Sequence, residues 1–289
     1  ARLSDASFRG YRRFRFLFQP LFAVFEGIAA QNQTAAERFL AVGARPDRVR
    51  LTGNLKYDAA MAGEPGGVDV SRLLQQVGVN GDSLILIGGS THDGEETILA
   101  DIVQRLRPQF PKIFLILAPR HFERSAEVAR QLRERGLKLF CRTAIRPDTR
   151  LTPGEIDCLL VDTTGELRFF YEHAAVVFMG KSLTAEGGQN LIEPGAAGKA
   201  IVFGPNMQNF KDIARQFVER SGAVQVRDAV ALEKVLRELF EDPYQRAELG
   251  RNALLVISEN VGAMERTVEM VVEKLKTMDV YVLPRAAAG

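Results

Sequence analysis

From residue 83 onward, short apolar runs alternate with stretches whose apolar residues recur every three or four positions. SLILIGG (83–89) is an apolar run closed by glycines, and Glu95, Glu96, Ile98, Leu99, Ile102 and Val103 then mark a helix. KIFLILAP (112–119) predicts a second buried strand, followed by a charged helix over 122–135. LKLFC (137–141) and CLLVD (158–162) predict further strands, GELRFFYEH (165–173) a helix and AVVFMG (175–180) another strand. A helix over 190–198, a strand AIVFG (200–204), a helix over 210–220, a strand AVQV (223–226) and helices across most of 230–278 complete the series. Continuous apolar runs of this length suit strands buried on both faces of a parallel sheet, with the helices as cover.

Residues 1–53 follow another pattern. YRRFRFLFQPLFAVFEGIAA sets Phe14, Phe16, Leu17, Phe18, Leu21, Phe22, Val24 and Phe25 beside arginines. This predicts a very apolar amphipathic helix, broken or kinked at Pro20. IAAQN (28–32) and RVRLTGN (48–54) are short strands, and TAAERFLAVG (34–43) is a helix capped by Thr34 with Glu37 three residues on. AMAGEPGGVDV (60–70) is the best linker, and a domain boundary is placed there. The expected domains are 1–63 and 64–289.

Composition narrows the classes. The chain has 289 residues, 46% of them hydrophobic, enough for one large or two modest domains. No apolar run approaches the roughly 18 residues of a membrane span. The net charge is +2 from 38 basic and 36 acidic residues, so the chain as a whole is no polyelectrolyte and nucleic acid is not an expected partner. Charge is uneven, however: Arg2, Arg9, Arg12, Arg13 and Arg15 stand against Asp5 alone in residues 1–25. Such a basic end can seek phosphate or an anionic membrane surface. Cys141 and Cys158 make no disulfide framework and are expected to be reduced thiols, while His92, His121 and His173 lack metal-ligand spacing. There is no signal-peptide pattern, and Ala1 in place of an initiator Met points to a processed form or a piece of a longer protein.

Four stretches follow expected strands, where open parallel sheets bind ligands. In GGSTHDGEE (88–96) the glycines admit a ligand, and Ser90, Thr91 and His92 precede a helix start that favours an anion; an ordinary capped turn has the same composition. In APRHFER (118–124), Arg120 can grip a phosphate or simply pair with a surface carboxylate. In DTTGELRFFY (162–171), the loop backbone around Thr163, Thr164, Gly165 and Leu167 is the better candidate, with Glu166 an ordinary first-turn carboxylate. In GGQNLIEPGAAGKAIVFGPNMQNF (187–210), Asn190 is a helix cap and Glu193 a first-turn acid, yet a carboxylate there can also accept both hydroxyls of a ribose. The alternation alone yields a nucleotide-type ligand at a sheet edge.

These stretches, in this order, resemble the bacterial Kdo transferases, which move 3-deoxy-D-manno-octulosonic acid from CMP-Kdo onto a lipid A precursor. TGNLKYD (52–58), GGSTHDGEE, APRHFER, DTTGEL (162–167), GGQNLIEP (187–194), FGPNMQNF (203–210) and NVGAMERT (260–267) carry the resemblance along nearly the whole chain. It implies an α/β fold of GT-B type: a Rossmann-like donor-binding domain plus the remnant of a second Rossmann-like domain. It implies that Glu193 holds the ribose of CMP and Asn190 the nucleotide or its phosphate. Arg120 and the 163–167 loop (Thr164, Gly165, Glu166 and Leu167 among them) would face CMP, Ser90, Thr91 and His92 the sugar, and Lys56 would add positive charge near the domain crossing. No metal or other cofactor is implied; CMP-Kdo is the donor substrate and a lipid A precursor the acceptor. The implied reaction is inverting displacement at the cytoplasmic face of the inner membrane, the chain being peripheral or anchored through a preceding segment.

Phe122 stands where many relatives have Pro, and Gln189 where a His is common. The family carries a longer front domain, which binds the acceptor and supplies the general base, so this chain is expected to begin near the end of that domain and names no catalytic residue. Two other readings stay open: a donor-binding module that transfers nothing, and a GT-B enzyme for another nucleotide sugar. The 8–25 segment is expected to pack its phenylalanines between domains with its arginines in water, the rival being contact with anionic lipid.

Overall fold

The computed structural model of the chain describes residues 1–62 and 67–277. The chain divides into Ala1–Gly63 with Ser258–Gly289, and Glu64–Ile257. Part of the expected linker, residues 63–66, lies outside the described residues.

The first unit opens with two helices, α1 (Asp5–Arg13) and α2 (Arg15–Ala23). The break falls at Phe14 (φ −110°, ψ 37°), and Pro20 lies inside α2. Proline removes only one i−4 bond there, whereas a turn at Phe14 brings Tyr11 onto Phe18 and Phe22, with ring centroids 4.6 and 5.5 Å apart. Ring packing therefore decides where the chain bends. Strand β1 (Ile28–Ala30) leads into α3 (Gln33–Ala41). The cap of α3 is Asn32, not Thr34: Asn32 is still extended as it leaves β1, and its Oδ1 accepts from Ala35 N–H at 2.8 Å. Strand β2 (Val49–Leu51) pairs parallel to β1, and α4 (Leu55–Met61) follows.

Leu3, Phe22, Ile28, Phe39, Val42 and Ala44 form this unit's core. The phenylalanines of 8–25 divide. Phe22 is buried, but Phe16 is 73% exposed, and Leu17, Leu21 and Val24 are exposed with it. The buried Phe22 packs in this unit's own core, and the exposed side chains are bare because nine-residue helices pack one stripe and leave the opposite one to solvent.

The second unit contains α5 (Val70–Gln76), β3 (Leu84–Thr91), α6 (Glu95–Leu106), β4 (Ile113–Pro119), α7 (Ser125–Glu134), β5 (Leu139–Cys141), β6 (Cys158–Leu160), α8 (Leu167–Phe170), β7 (Val176–Met179), α9 (Ile192–Ala196), β8 (Ala200–Phe203), α10 (Lys211–Glu219), β9 (Val224–Gln225), α11 (Ala229–Glu241) and α12 (Pro243–Asn260), whose last three residues fall beyond the unit's end. Every strand–strand pairing is parallel, in the order β5-β6-β4-β3-β7-β8-β9. All residues of β4, β7 and β8 are buried, as unbroken apolar runs require. The core under the sheet joins Leu86, Leu115, Val176 and Val202 to Leu99 and Val103 of α6 and to Leu236 and Phe240 of α11.

Three helices are shorter than their periodicity predicts. Residues 165–173 split into the four-residue α8 and a 3-10 turn, 190–198 keep only five residues as α9, and α7 is preceded by a 3-10 turn at 122–124. Gly165 and Gly198 have φ near +81° and +64°, which delays one helix and ends the other.

The last helix, α13 (Ala263–Thr277), belongs to the first unit. Asp58 accepts from the N–H groups of Gly262 and Ala263 at 2.7 and 3.1 Å, and Arg266 Nε donates to the Thr52 carbonyl at 2.7 Å. No helix among the described residues is long and apolar enough to cross a membrane.

Candidate functional site

The sheet winds outward from β3 in both directions, so the crossovers leaving β3 and β7 part company at their carboxyl ends. A crevice opens at such a point in doubly wound sheets. The four stretches singled out from sequence close or follow the strands β3, β4, β6 and β7 in chain order.

The ends of β3 and β7 are forced together. A Cβ on Gly180 would lie 2.4 Å from Thr91 Cα and 2.5 Å from the Ser90 carbonyl oxygen, so only glycine permits this approach. Register shifts by one residue between Gly89 and Thr91. Ser90 and Lys181 face this junction with φ of +52° and +53°; besides Ser221 they are the non-glycine residues of positive φ among the described residues. Each such conformation costs of order 1–3 kcal/mol and persists only where the surroundings enforce it.

Glu95 is what enforces it. Its carboxylate is wholly buried and accepts four backbone N–H groups: His92 at 2.8 Å, Lys181 at 2.7 Å, Ser182 at 2.9 Å and Leu183 at 2.9 Å. One side chain thus fixes the turn after β3 and the turn after β7. Ser182, also fully buried, donates to the Met179 carbonyl and accepts from Gly204 N–H at 2.8 Å, tying in the end of β8. The glycine pair completes the frame: Gly188 N–H donates to the Lys181 carbonyl at 2.8 Å, and Gly187 N–H to Gln208 Oε1 at 2.7 Å. Sequence analysis had Glu95 only as a helix residue. The one local signal is its spacing from His92, three residues earlier, as in a capping box.

Ser90 and His92 are half-buried at this junction, and Thr91 is wholly buried with its carbonyl accepting from Arg120 N–H at 2.9 Å. The His92 ring stands edge-on to His121, with centroids 5.8 Å apart. Burial, then the Lys181 charge beside it, holds the His92 imidazole below its ordinary value. Arg120 and His121 are exposed at the end of β4. Arg124 bonds both Asp93 (3.0 Å) and the fully buried Glu96 (2.9 Å), whose carboxyl is pushed up by burial.

At the end of β6, Thr164 and Gly165 are exposed and Leu167, half-buried, begins α8. Glu166 is engaged by Arg142 at 2.9 and 3.2 Å and by Thr163 Oγ1 at 2.8 Å, so the loop is braced by its own side chain. Beyond β7, Asn190 Oδ1 accepts from Ile192 N–H at 3.3 Å, but the residue before the first turn of α9 is Leu191, so Asn190 stands one position too early to be the expected helix cap. Glu193 is exposed on α9. Tyr171, buried between, links it to β3: the hydroxyl would lie 2.7 Å from a Cβ on Gly89, and burial followed by the Glu193 charge raises the phenol well above its ordinary value. Lys56 is exposed on α4, in the first unit. Since α8 and α9 have four and five residues, their dipoles are weak, and side-chain cations are the stronger source of positive charge.

Among the described residues no three His, Cys, Asp or Glu side chains are grouped to hold a metal ion. Cys141 is half-buried and Cys158 buried, both as free thiols, and burial pushes both thiols up.

Comparison with known proteins bears on both units. The sequence pattern of the family described as 3-deoxy-D-manno-octulosonic-acid transferase (kdotransferase) matches residues 1–59. A 3-deoxy-D-manno-octulosonic acid transferase of Haemophilus influenzae is 32% identical over 93% of this chain and 62% of its own length. This chain therefore spans less than two thirds of that relative. The C-terminal CMP-Kdo binding domain of WaaA from Acinetobacter baumannii matches in structure with a TM-score of 0.56 and 25% identity, over 61% of this chain and 90% of that one. HepE of Anabaena, solved with UDP and glucose, matches with a TM-score of 0.52 at 17% identity over 94% of this chain and 67% of its own, a likeness of fold alone. The resemblance to the Kdo transferases and the α/β fold of GT-B type are thus shown.

Proposed function

We propose that this chain carries the donor-binding half of a Kdo transferase, taking CMP-Kdo in the crevice between the ends of β3 and β7. The observation that supports this best is the structural match to a CMP-Kdo binding domain, together with a glycine-built junction of β3 and β7 from which the stretch carrying Asn190 and Glu193 follows in sequence.

In this reading Glu193 accepts the ribose hydroxyls, Asn190 fixes the nucleotide, and Arg120 with the 163–167 loop faces CMP. Ser90 and His92 lie toward the sugar, with Thr91 shaping the backbone beneath them. The acceptor is a lipid A precursor at the cytoplasmic face of the inner membrane. A base takes the proton from an acceptor hydroxyl, the oxygen attacks the anomeric carbon, and CMP leaves with inversion. Arg120 offsets charge on the departing phosphate. The base is assigned to none of the residues here.

Thermal stabilisation by CMP, UMP, GMP and AMP tests the nucleotide. CMP alone should raise the midpoint, and Glu193→Ala should abolish the rise. Preference for UMP would favour the second reading, a GT-B enzyme for another nucleotide sugar. Transfer assayed with CMP-Kdo and a lipid A precursor separates an enzyme from a donor-binding module.

A further inference from the structure

Lys181 has no role in the reading above, yet its placement is unusual in three ways. It closes β7 at the switch of sheet direction, opposite Ser90. Its backbone is left-handed, φ +53°, where a glycine would sit without strain. Its backbone N–H is held by Glu95 at 2.7 Å and its carbonyl by Gly188 N–H at 2.8 Å, so the residue is clamped from both sides. The side chain is half-buried, and among the described residues no carboxylate pairs with its ammonium. A methyl group on Gly187 would lie 3.3 Å from Lys181 Cε and 3.5 Å from Nζ, so the ammonium lies against Gly187. His92 is close enough to feel its charge. A partly desolvated cation, placed on a strained backbone and left without a counter-ion, is an arrangement that an anionic ligand completes.

We propose that Lys181 is an anion-recognition residue of this crevice, its ammonium receiving an acidic group of the nucleotide-sugar donor beside His92. The inference rests on the donor reading given above. A CMP-linked acidic sugar offers two such groups, the phosphate and the sugar carboxylate, and both present the oxygen acceptors an ammonium requires.

The test measures binding of cytidine, CMP and CMP-Kdo to the full chain by calorimetry, for wild type, Lys181→Met and Lys181→Gly. Loss of one charge-assisted bond lowers affinity about tenfold or more. If the phosphate is the partner, CMP and CMP-Kdo weaken together while cytidine is unchanged. If the carboxylate is the partner, CMP-Kdo weakens and CMP does not. Either result supports the assignment. Lys181→Gly should also keep or raise the thermal midpoint, because glycine relieves the left-handed backbone; a purely structural lysine would lower it. Unchanged affinity of both variants for CMP and CMP-Kdo, in a wild type that binds them, overturns this inference alone. A wild type that binds neither overturns the donor reading and this inference with it.

Discussion

Glu95 is the residue on which the site's shape depends. A buried carboxylate is costly unless its oxygens are filled, and here four backbone N–H groups fill them. Removing it leaves donors without an acceptor in two loops at once. Glu95→Ala is therefore expected to lower the free energy of unfolding by about 2–4 kcal/mol, measured by urea titration. It should also weaken CMP binding, because the turn carrying Lys181 and the glycine pair loses its anchor. Wild-type stability in that variant would mean that the turn holds itself. Nothing within ten residues of Glu95 announces these partners: Lys181, Ser182 and Leu183 are 86, 87 and 88 positions away. What was legible was the glycines. Gly89, Gly180 and Gly187 each sit where a Cβ would meet Tyr171, Thr91 or Asn209.

At the scale of elements, strands were legible and helix ends were not. β3, β4, β7 and β8 fall within a residue or two of their apolar runs, because burial on both faces leaves few polar positions to confuse the pattern. Caps depend on where the preceding strand stops. Thr34 with Glu37 fits a cap by composition, but Asn32 holds the extended backbone that capping needs. Asn32→Ala should lower stability by about 1 kcal/mol, and Thr34→Ala by no more than a few tenths; paired urea titrations decide. Equal losses would return the cap to Thr34. Similarly, Pro20 marks a break in any isolated helix, and aromatic packing of Tyr11 against Phe18 and Phe22 moved the break to Phe14.

At the scale of the molecule, three core clusters among the described residues each draw on one unit. The large core draws on residues between Leu86 and Leu249, and the smaller ones on residues between Leu3 and Val49. A sheet of seven strands with its own core satisfies its apolar surface internally. A fragment of residues 64–260 is expected to fold alone, with a single cooperative urea transition by circular dichroism. A gradual, non-cooperative transition would show that it draws stability from elsewhere. The first unit has a two-stranded sheet and a stripe of exposed apolar side chains on α2, and sheets of that size seldom stand alone.

The sequence by itself determined the α/β class, the strand series, the four strand-end stretches and the resemblance to the Kdo transferases. All of these rest on local patterns: apolar periodicity, glycine placement and short motifs in order. Only the tertiary structure decided that the strand order switches between β3 and β7, that Glu95 joins two turns, that Glu166 is taken up by Arg142 and that no carboxylate among the described residues pairs with the Lys181 ammonium. Those features follow from which buried donors meet which acceptors once distant segments pack, and the order of residues along a chain does not contain that geometry.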